Sequence, residues 1–285
     1  MDLTFSAVGL LVGTLIGATG VGGGSLMTPI LLTLGIAPAH AVGTDLLFAA
    51  VTKGVGTGLH GMNQSVSWKI VGRLASGSLI ASLTMLWVMH RFLDPAALGP
   101  LIRGTLGVAL LLTSAAILLQ PVLRRTFRKG KTISQRPTAP SHASASADPG
   151  YPDALLQEER ASETRAGVAW PTILVGAILG ALVTVTSVGA GAVGVMVLMA
   201  LYPQVRSVRV VGTDVAHAVP LTLVAGLGHA GMGTVQWGLL GALLLGSIPG
   251  IFVGTQCAFR LPERHLKQAL AVLLLAVGGQ MAFSA

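Results

Sequence analysis

Charged side chains are scarce in this sequence, and their scarcity excludes most soluble folds. Asp, Glu, Lys and Arg make up 10% of the 285 residues, whereas 52% are hydrophobic; a soluble domain usually carries about 25% charged residues. Uncharged apolar runs such as 3–20 have the roughly 18 residues that a membrane-spanning helix needs. No soluble core of this size could bury so much apolar surface, so we predict an all-α, polytopic membrane protein.

The sequence also lacks the motifs of common catalytic sites. Its single cysteine, Cys257, excludes an internal disulfide. There is no Walker A motif, no G-x-S-x-G nucleophile elbow and no H-E-x-x-H zinc motif. We therefore expect neither enzymatic activity nor a cofactor. Active transport would have to be driven by an ion or solute gradient, or by a partner subunit.

Positive charge is concentrated in one region of the chain. The net charge is +8, and eight of the 18 Lys and Arg residues fall between Arg124 and Arg165. Such clustering beside apolar segments is typical of a cytoplasmic loop and not of a nucleic-acid-binding surface. Because 121–165 is also rich in Ser, Ala and Pro, it cannot form a core. We predict a flexible, basic cytoplasmic linker there, between an N-terminal transmembrane repeat at 1–120 and a C-terminal one at 166–285.

The two halves of the chain repeat each other at a constant offset of 169 residues. The motif Val-Gly-Thr-Asp at 42–45 returns at 211–214. The same shift pairs Gly20 with Gly189, Gly22 with Gly191, His60 with His229, Trp68 with Trp237 and Arg91 with Arg260. Internal duplication of this kind is typical of secondary-transporter folds.

Each half contains five apolar stretches. They lie at about 3–20, 23–35, 41–59, 67–90 and 97–119 in the first half, and at about 168–188, 190–203, 210–229, 236–257 and 267–284 in the second. The second stretch of each half is short, because thirteen helical residues reach only about 20 Å of a hydrocarbon core that is roughly 30 Å thick. These stretches are either thin spans or arms of a re-entrant hairpin.

The charges of the loops favour one of two topologies. Five crossings per half would invert the second half relative to the first, whereas four crossings and a hairpin would leave the halves parallel. With the linker inside, inversion puts these second-half cations in the cytoplasm: Arg206, Arg209, Arg260, Arg264 and Lys267. Lys and Arg favour that side. We predict ten segments in two inverted sets of five, in the inner membrane, with both termini periplasmic.

Glycine-rich stretches separate the first two segments of each half. They comprise Gly20, Gly22, Gly23 and Gly24 in the first half, and Gly189 and Gly191 in the second. Non-helical backbone at membrane depth survives only where protein or a water-filled cavity surrounds it. A helix that follows such a break aims free N–H groups and its positive dipole end at the cavity, which favours an anion. The alternative is tight helix packing through small residues.

Asp45 and Asp214 are the acidic residues that lie well inside apolar segments. A carboxylate in mid-bilayer costs about 2.5–3.5 kcal/mol on insertion scales, so such residues usually face a pathway or a partner. In the inverted topology they would lie towards opposite membrane faces and could exchange protons on either side of a central site. The alternative is helix capping, because Thr44 and Thr213 precede them near helix starts.

One lysine and three histidines complete the polar set. Lys53 has no counterpart, since Thr222 occupies the matching position; it could attract an anionic solute or neutralise an acid from another helix. His217 follows Asp214 by three residues and could hydrogen-bond to it or relay protons. His60 and His229 end the third segments, where they could serve the pathway or simply cap carbonyl groups. The donor set indicates a metal site only weakly.

These motifs together resemble the sulfite exporter TauE/SafE family of membrane anion transporters. The resemblance rests on "GATGVGGGSLMTPILL", "AVGTDLLFAAVTKGVGTGLHG" and "VSW" in the first half, and on "TSVGAGAVGVMVL", "VRVVGTDVAHAVPLTLVAGLGH" and "LLGSIPG" in the second. It covers nearly the whole chain except the linker. It implies a bacterial inner-membrane permease for sulfite or another small sulfur-containing or organic anion, working as a homodimer. Asp45 and Asp214 depart from the usual family pattern, which indicates a subgroup.

The leading hypothesis is a secondary anion transporter, with the anion bound near the midplane between the glycine breaks. Thr44, Lys53 and Thr213 would contact the anion, and Asp45 and Asp214 would carry protons or shape the pathway. The alternatives are a divalent-metal permease that uses the two aspartates and the histidines, and a non-transporting membrane subunit or intramembrane enzyme.

Overall fold

A computed structural model describes residues 3–19, 24–62, 66–92, 95–129, 166–257 and 263–283. Within these ranges every regular element is helical, and there are ten α-helices. Five belong to the first half: α1 (Leu3–Thr19), α2 (Gly24–Thr33), α3 (Pro38–Met62), α4 (Trp68–Phe92) and α5 (Pro95–Lys129). Five belong to the second: α6 (Ala169–Thr186), α7 (Ala192–Leu201), α8 (Ser207–Gly231), α9 (Trp237–Cys257) and α10 (Glu263–Phe283), with a 3-10 turn at Ala166–Val168 before them.

The helices have the length and surface of a polytopic membrane protein, as predicted. Five of them contain apolar spans long enough to cross a bilayer: Trp68–Phe92, Gly99–Leu119, Ala169–Thr186, Ser207–Gly231 and Trp237–Gly254. Large apolar side chains such as Leu3, Ile80 and Trp170 are exposed. Such exposure is costly in water and favourable in lipid.

The predicted segments agree with the helices except at the end of the first half. Helix α5 continues past the apolar stretch to Lys129, so the first part of the predicted linker is helical. The reason is visible in the sequence, because Leu, Arg and Lys favour helix and dominate this stretch. The rest of the predicted linker, 130–165, lies outside the described residues.

The tightest helix contacts cross between the halves and occur in matched pairs. Helix α1 packs on α9, where Gly246 lies against the Ser6 carbonyl. Helix α4 packs on α6, where Gly77 lies against the Ile173 carbonyl. Gly77 and Gly246 are 169 residues apart, and Ser6 and Ile173 are 167 apart. Each contact is therefore the counterpart of the other with the two halves exchanged, and the first helix of the second half is displaced by two residues relative to the constant offset.

The central helices α3 and α8 occupy equivalent positions in the two halves and pack against each other. Leu47 of α3 lies against Gly226, and Gly43 lies against Thr234, just beyond the end of α8. As the residue number rises along α3, it falls along α8. These two equivalent helices therefore run antiparallel.

Candidate functional site

A break in the helical backbone lies between α6 and α7. Helix α6 ends at Thr186, and Ser187 follows in the left-handed conformation with φ of 58°. Gly189 and Gly191 have φ of 121° and 140°, values that side chains rarely adopt. The interruption expected in the second half is therefore present, and Ser187 and Ala190 in it are buried. In the first half α1 ends at Thr19 and α2 begins at Gly24, and Gly20, Gly22 and Gly23 lie outside the described residues.

Lys53 connects the first half to this break. It lies in the middle of α3, is only 5% exposed, and donates a hydrogen bond from Nζ to the Ala190 carbonyl at 3.0 Å. A buried ammonium group needs acceptors or counter-charges to offset its lost hydration. The broken backbone supplies one acceptor, because the carbonyl of Ala190 lies outside the regular helices.

Asp45 is held by hydroxyl groups around one of its oxygens. The carboxylate is fully buried, and Thr28 of α2 donates a hydrogen bond to its Oδ2 atom. The Ser187 side chain lies close to the same carboxylate, without a hydrogen bond of normal geometry. Asp45 is seven residues beyond Pro38, the first residue of α3, so the capping alternative is wrong for it.

Asp214 is equally buried but has a different environment. Its Oδ1 atom has no hydrogen-bond partner and lies against Gly194 of α7, so closely that a Cβ atom there would collide with it. It is seven residues beyond Ser207, the first residue of α8. Capping is therefore the wrong interpretation here as well.

The two aspartates belong to one cluster and do not form separate sites on opposite sides of the membrane. The charge of Lys53 acts on both Asp45 and Asp214. The expectation of widely separated acids overlooked two facts that only the packed structure contains. Helices α3 and α8 are in contact, and the long Lys53 side chain reaches between the halves.

The histidines play different parts. His217 Nε2 lies 2.8 Å from Ser78 Oγ, and its buried Nδ1 atom has no partner. The predicted hydrogen bond between His217 and Asp214 is absent. His229 is bonded at both nitrogens, to Thr234 Oγ1 and to the Thr184 carbonyl, each at 2.9 Å. The His60 side chain lies outside the described residues, although its backbone is part of α3.

Thr44 and Thr213 make backbone contacts and do not face the break. Thr44 Oγ1 accepts a hydrogen bond from the Gln236 N–H at 3.1 Å, and Thr213 Oγ1 accepts one from the Ser67 N–H at 2.9 Å. Thr213 also donates to the Arg209 carbonyl. Both hydroxyls therefore link the halves at the starts of α9 and α4, which differs from the predicted role of direct contact with the anion.

We call Asp45, Lys53, Ser187, Asp214 and His217 the central charged cluster. Each of these side chains is 5% exposed or less. The cluster contains four buried polar atoms without a partner: Asp45 Oδ1, Ser187 Oγ, Asp214 Oδ1 and His217 Nδ1. Buried polar atoms are nearly always paired, so an unpaired group of this size indicates a place for protons, water or a polar ligand.

Sequence reasoning missed two members of this environment. Thr28 and Ser187 carry common residue types in apolar stretches, and only their contacts with Asp45 give them significance. No local pattern could have identified them. The Ala190 carbonyl was equally invisible, because a backbone acceptor becomes available only where the helix is broken.

A metal centre would need a different set of side chains. Over the described ranges, no group of three or more His, Cys, Asp or Glu side chains is arranged to hold a metal ion. The amine of Lys53 also lies among the acids, where it would repel a cation.

Comparison with known proteins gives two matches. The profile of a family described as "Sulfite exporter TauE/SafE" matches residues 5–281. The chain is also 33% identical over 281 residues to "Probable membrane transporter protein YjnA" of Bacillus subtilis (strain 168), covering 98% of each chain. No solved structure matches the chain.

Proposed function

We propose, from the premise that this chain belongs to the sulfite exporter TauE/SafE family, that it is a secondary transporter of sulfite or a related small sulfur-containing or organic anion. The family resemblance indicated by the sequence motifs is confirmed, and membership makes the chain a membrane transporter. The anionic substrate, its coupling and the mechanism are parts of the proposal, and each is supported by a separate observation.

The observation that carries the proposal is the position of Lys53. Its ammonium group is buried between the two halves and bonded to the Ala190 carbonyl, one residue before Gly191. Helix α7 begins directly after Gly191. A helix N-terminus and a lysine amine both attract anions, and here they lie side by side at a break in the backbone. A small anion could replace the Ala190 carbonyl as the partner of Lys53.

The charge of the cluster supports proton coupling. With Asp45 and Asp214 ionised and Lys53 protonated, the formal charge is −1. Adding a monovalent anion would raise the buried negative charge to −2, which is costly in a medium of low polarity. Protons taken up by the aspartates together with the anion would remove that cost. We infer that the anion moves with one or more protons.

The packing of the halves supports alternating access between two inverted repeats. Equivalent helices α3 and α8 run antiparallel, and the contact of α1 with α9 has its counterpart in the contact of α6 with α4. An approximate two-fold axis in the membrane plane would produce both features. Rocking of one repeat against the other would then expose the central charged cluster to either side in turn.

The setting of the transporter is also part of the proposal. We propose residence in the inner membrane, with the 121–165 linker cytoplasmic, the termini periplasmic and two copies forming a homodimer. Cysteine labelling from either side of the membrane, in a variant without Cys257, tests the orientation. The mass of the protein in lipid nanodiscs tests the dimer.

Transport of labelled sulfite into proteoliposomes tests the proposed function. We expect saturable exchange of sulfite at equal pH on both sides, and competition from other small sulfur-containing or organic anions. Liposomes with a denatured sample provide the control. If no small anion exchanges through protein that is folded and correctly inserted, the proposal is wrong.

A further inference from the structure

The two aspartates occupy equivalent positions in the repeats, yet only one of them has a hydrogen-bond donor. Thr28 donates to Asp45 Oδ2, and Ser187 lies beside the same carboxylate. Over the part of the chain that the structure describes, no donor reaches the carboxylate of Asp214, and only the charge of Lys53 acts on it. The repeats have therefore diverged at the site itself.

The sequence explains why Asp214 has no donor. Asp45 faces α2, whose sequence GSLMTPILLT contains three hydroxyl groups. Asp214 faces α7, whose sequence AVGVMVLMAL contains no hydroxyl, amide or charged side chain. Where α7 approaches Asp214 it presents Gly194. No rotamer change in α7 could supply a side-chain donor.

The other charged groups around Asp214 are few. Helix α3 contributes Lys53 and Asp45, and α8 itself contributes His217 and, at its start, Arg209. Helices α6 and α7 carry no titratable side chain. Helix α4 carries its cations towards its ends: Lys69, Arg73, His90 and Arg91. Of these, Lys69 is exposed and Arg73 Nη1 lies 3.5 Å from the Tyr202 hydroxyl. Lys53 is the group whose charge acts on Asp214.

We propose that Asp214 is the group that takes up and releases the coupled proton, whereas Asp45 is a positioning residue that holds Lys53 and the broken segment in place. This inference rests on the proposed function and specifies which carboxylate performs the coupling. A carboxylate with a fixed donor keeps its charge, because the hydrogen bond stabilises the ionised form. A carboxylate without donors changes its protonation state without breaking any hydrogen bond.

Lys53 links the proton to the anion. While Lys53 compensates Asp214, the carboxylate remains ionised. When an anion binds to Lys53, that compensation is shared, and Asp214 gains a proton from water on the open side. Release of the anion on the other side restores the compensation, and the proton leaves to water there. Binding of the anion and of the proton are thus mutually favourable, as linkage requires.

Separate measurements of exchange and of gradient-driven flux test this inference. Asp214→Asn is expected to keep sulfite exchange at equal pH and to lose the acceleration by a pH gradient. Asp45→Asn and its matched control Thr28→Val are expected to keep the acceleration, although with a lower rate. If Asp214→Asn remains driven by the gradient, or if Asp45→Asn alone loses the drive, the assignment is wrong.

A second measurement does not require transport. Addition of sulfite to the full-length protein in detergent, in weak buffer with a pH indicator, should cause proton uptake by the wild type and by Thr28→Val. Asp214→Asn should bind sulfite, as seen from thermal stabilisation, without proton uptake. Uptake that persists in Asp214→Asn overturns the inference and leaves the anion transporter itself untouched. A wild type that neither binds nor exchanges any small anion overturns both.

Discussion

The hydroxyl of Thr213 accepts a hydrogen bond from the backbone N–H of Ser67 at 2.9 Å, across the boundary between the two halves. Its counterpart is the bond from the Gln236 N–H to Thr44 Oγ1 at 3.1 Å. Both members of the first pair lie 169 residues from members of the second. Each bond satisfies a donor just before a helix start, where backbone N–H groups have no partner within the helix.

Removal of either threonine hydroxyl should destabilise the protein by a similar amount. Thr44→Val and Thr213→Val each leave a backbone N–H unpaired, and we expect a loss of about 0.5–2 kcal/mol in unfolding free energy. Unfolding in mixed micelles measures it. Thr222→Val is the control, because Thr222 donates only to carbonyls of its own helix, Ala218 and Val219. Equal effects at all three positions would contradict the proposed link between the halves.

Replacement of Lys53 should abolish anion transport. Lys53→Met removes the buried cation at the break, and we expect sulfite exchange to fall to the level of empty liposomes, because nothing else offsets the charge of a buried anion. Lys53→Arg keeps the charge and should retain part of the activity. Lys69→Met removes a lysine that is exposed on α4 and should behave as wild type. Wild-type exchange by Lys53→Met would exclude Lys53 as the anion-binding group.

Alanine at Gly77 or Gly246 should disrupt the contacts between helices. A Cβ atom at Gly77 would collide with the Ile173 carbonyl, and one at Gly246 with the Ser6 carbonyl. Because backbone atoms cannot move aside cheaply, we expect each substitution to cost at least about 1–3 kcal/mol.

The control for this pair is Gly72→Ala on α4, which has nothing within 4 Å of the added atom. It should leave stability unchanged or raise it by up to about 1 kcal/mol, because alanine favours helix. The yield of monodisperse protein and its melting temperature in detergent distinguish the variants. A stable Gly77→Ala or Gly246→Ala variant would show that these helices do not approach so closely.

Alanine at Gly194 should impair transport more than it impairs folding. The added Cβ atom would collide with the Asp214 carboxylate, which is a side chain and can move away from its neighbour. We expect a stable protein in which the pH dependence of sulfite flux is altered. Gly54→Ala, beside Lys53 but with open space around it, is the matched control. An unchanged pH profile in Gly194→Ala would argue against Asp214 as the coupled group.

The sequence was sufficient for the membrane class, the ten segments and the family. Long apolar runs and scarce charge determine the first, because lipid exposure leaves a strong compositional signal. Ordered motifs spread over nearly the whole chain determine the family. The break before α7 was also predictable, since Gly189 and Gly191 interrupt an apolar stretch that otherwise reads as one helix.

The arrangement of the site was decided by tertiary structure. The sequence singled out Asp45, Lys53 and Asp214 as costly in a bilayer, but it could not show that one ammonium group serves both acids. Nor could it show that Thr44 and Thr213 bond to backbone groups of the opposite half. Those relationships join residues more than 140 positions apart, and they exist only once antiparallel helices bring the two halves into contact. Composition reports what each residue costs in lipid; packing determines which partner offsets that cost.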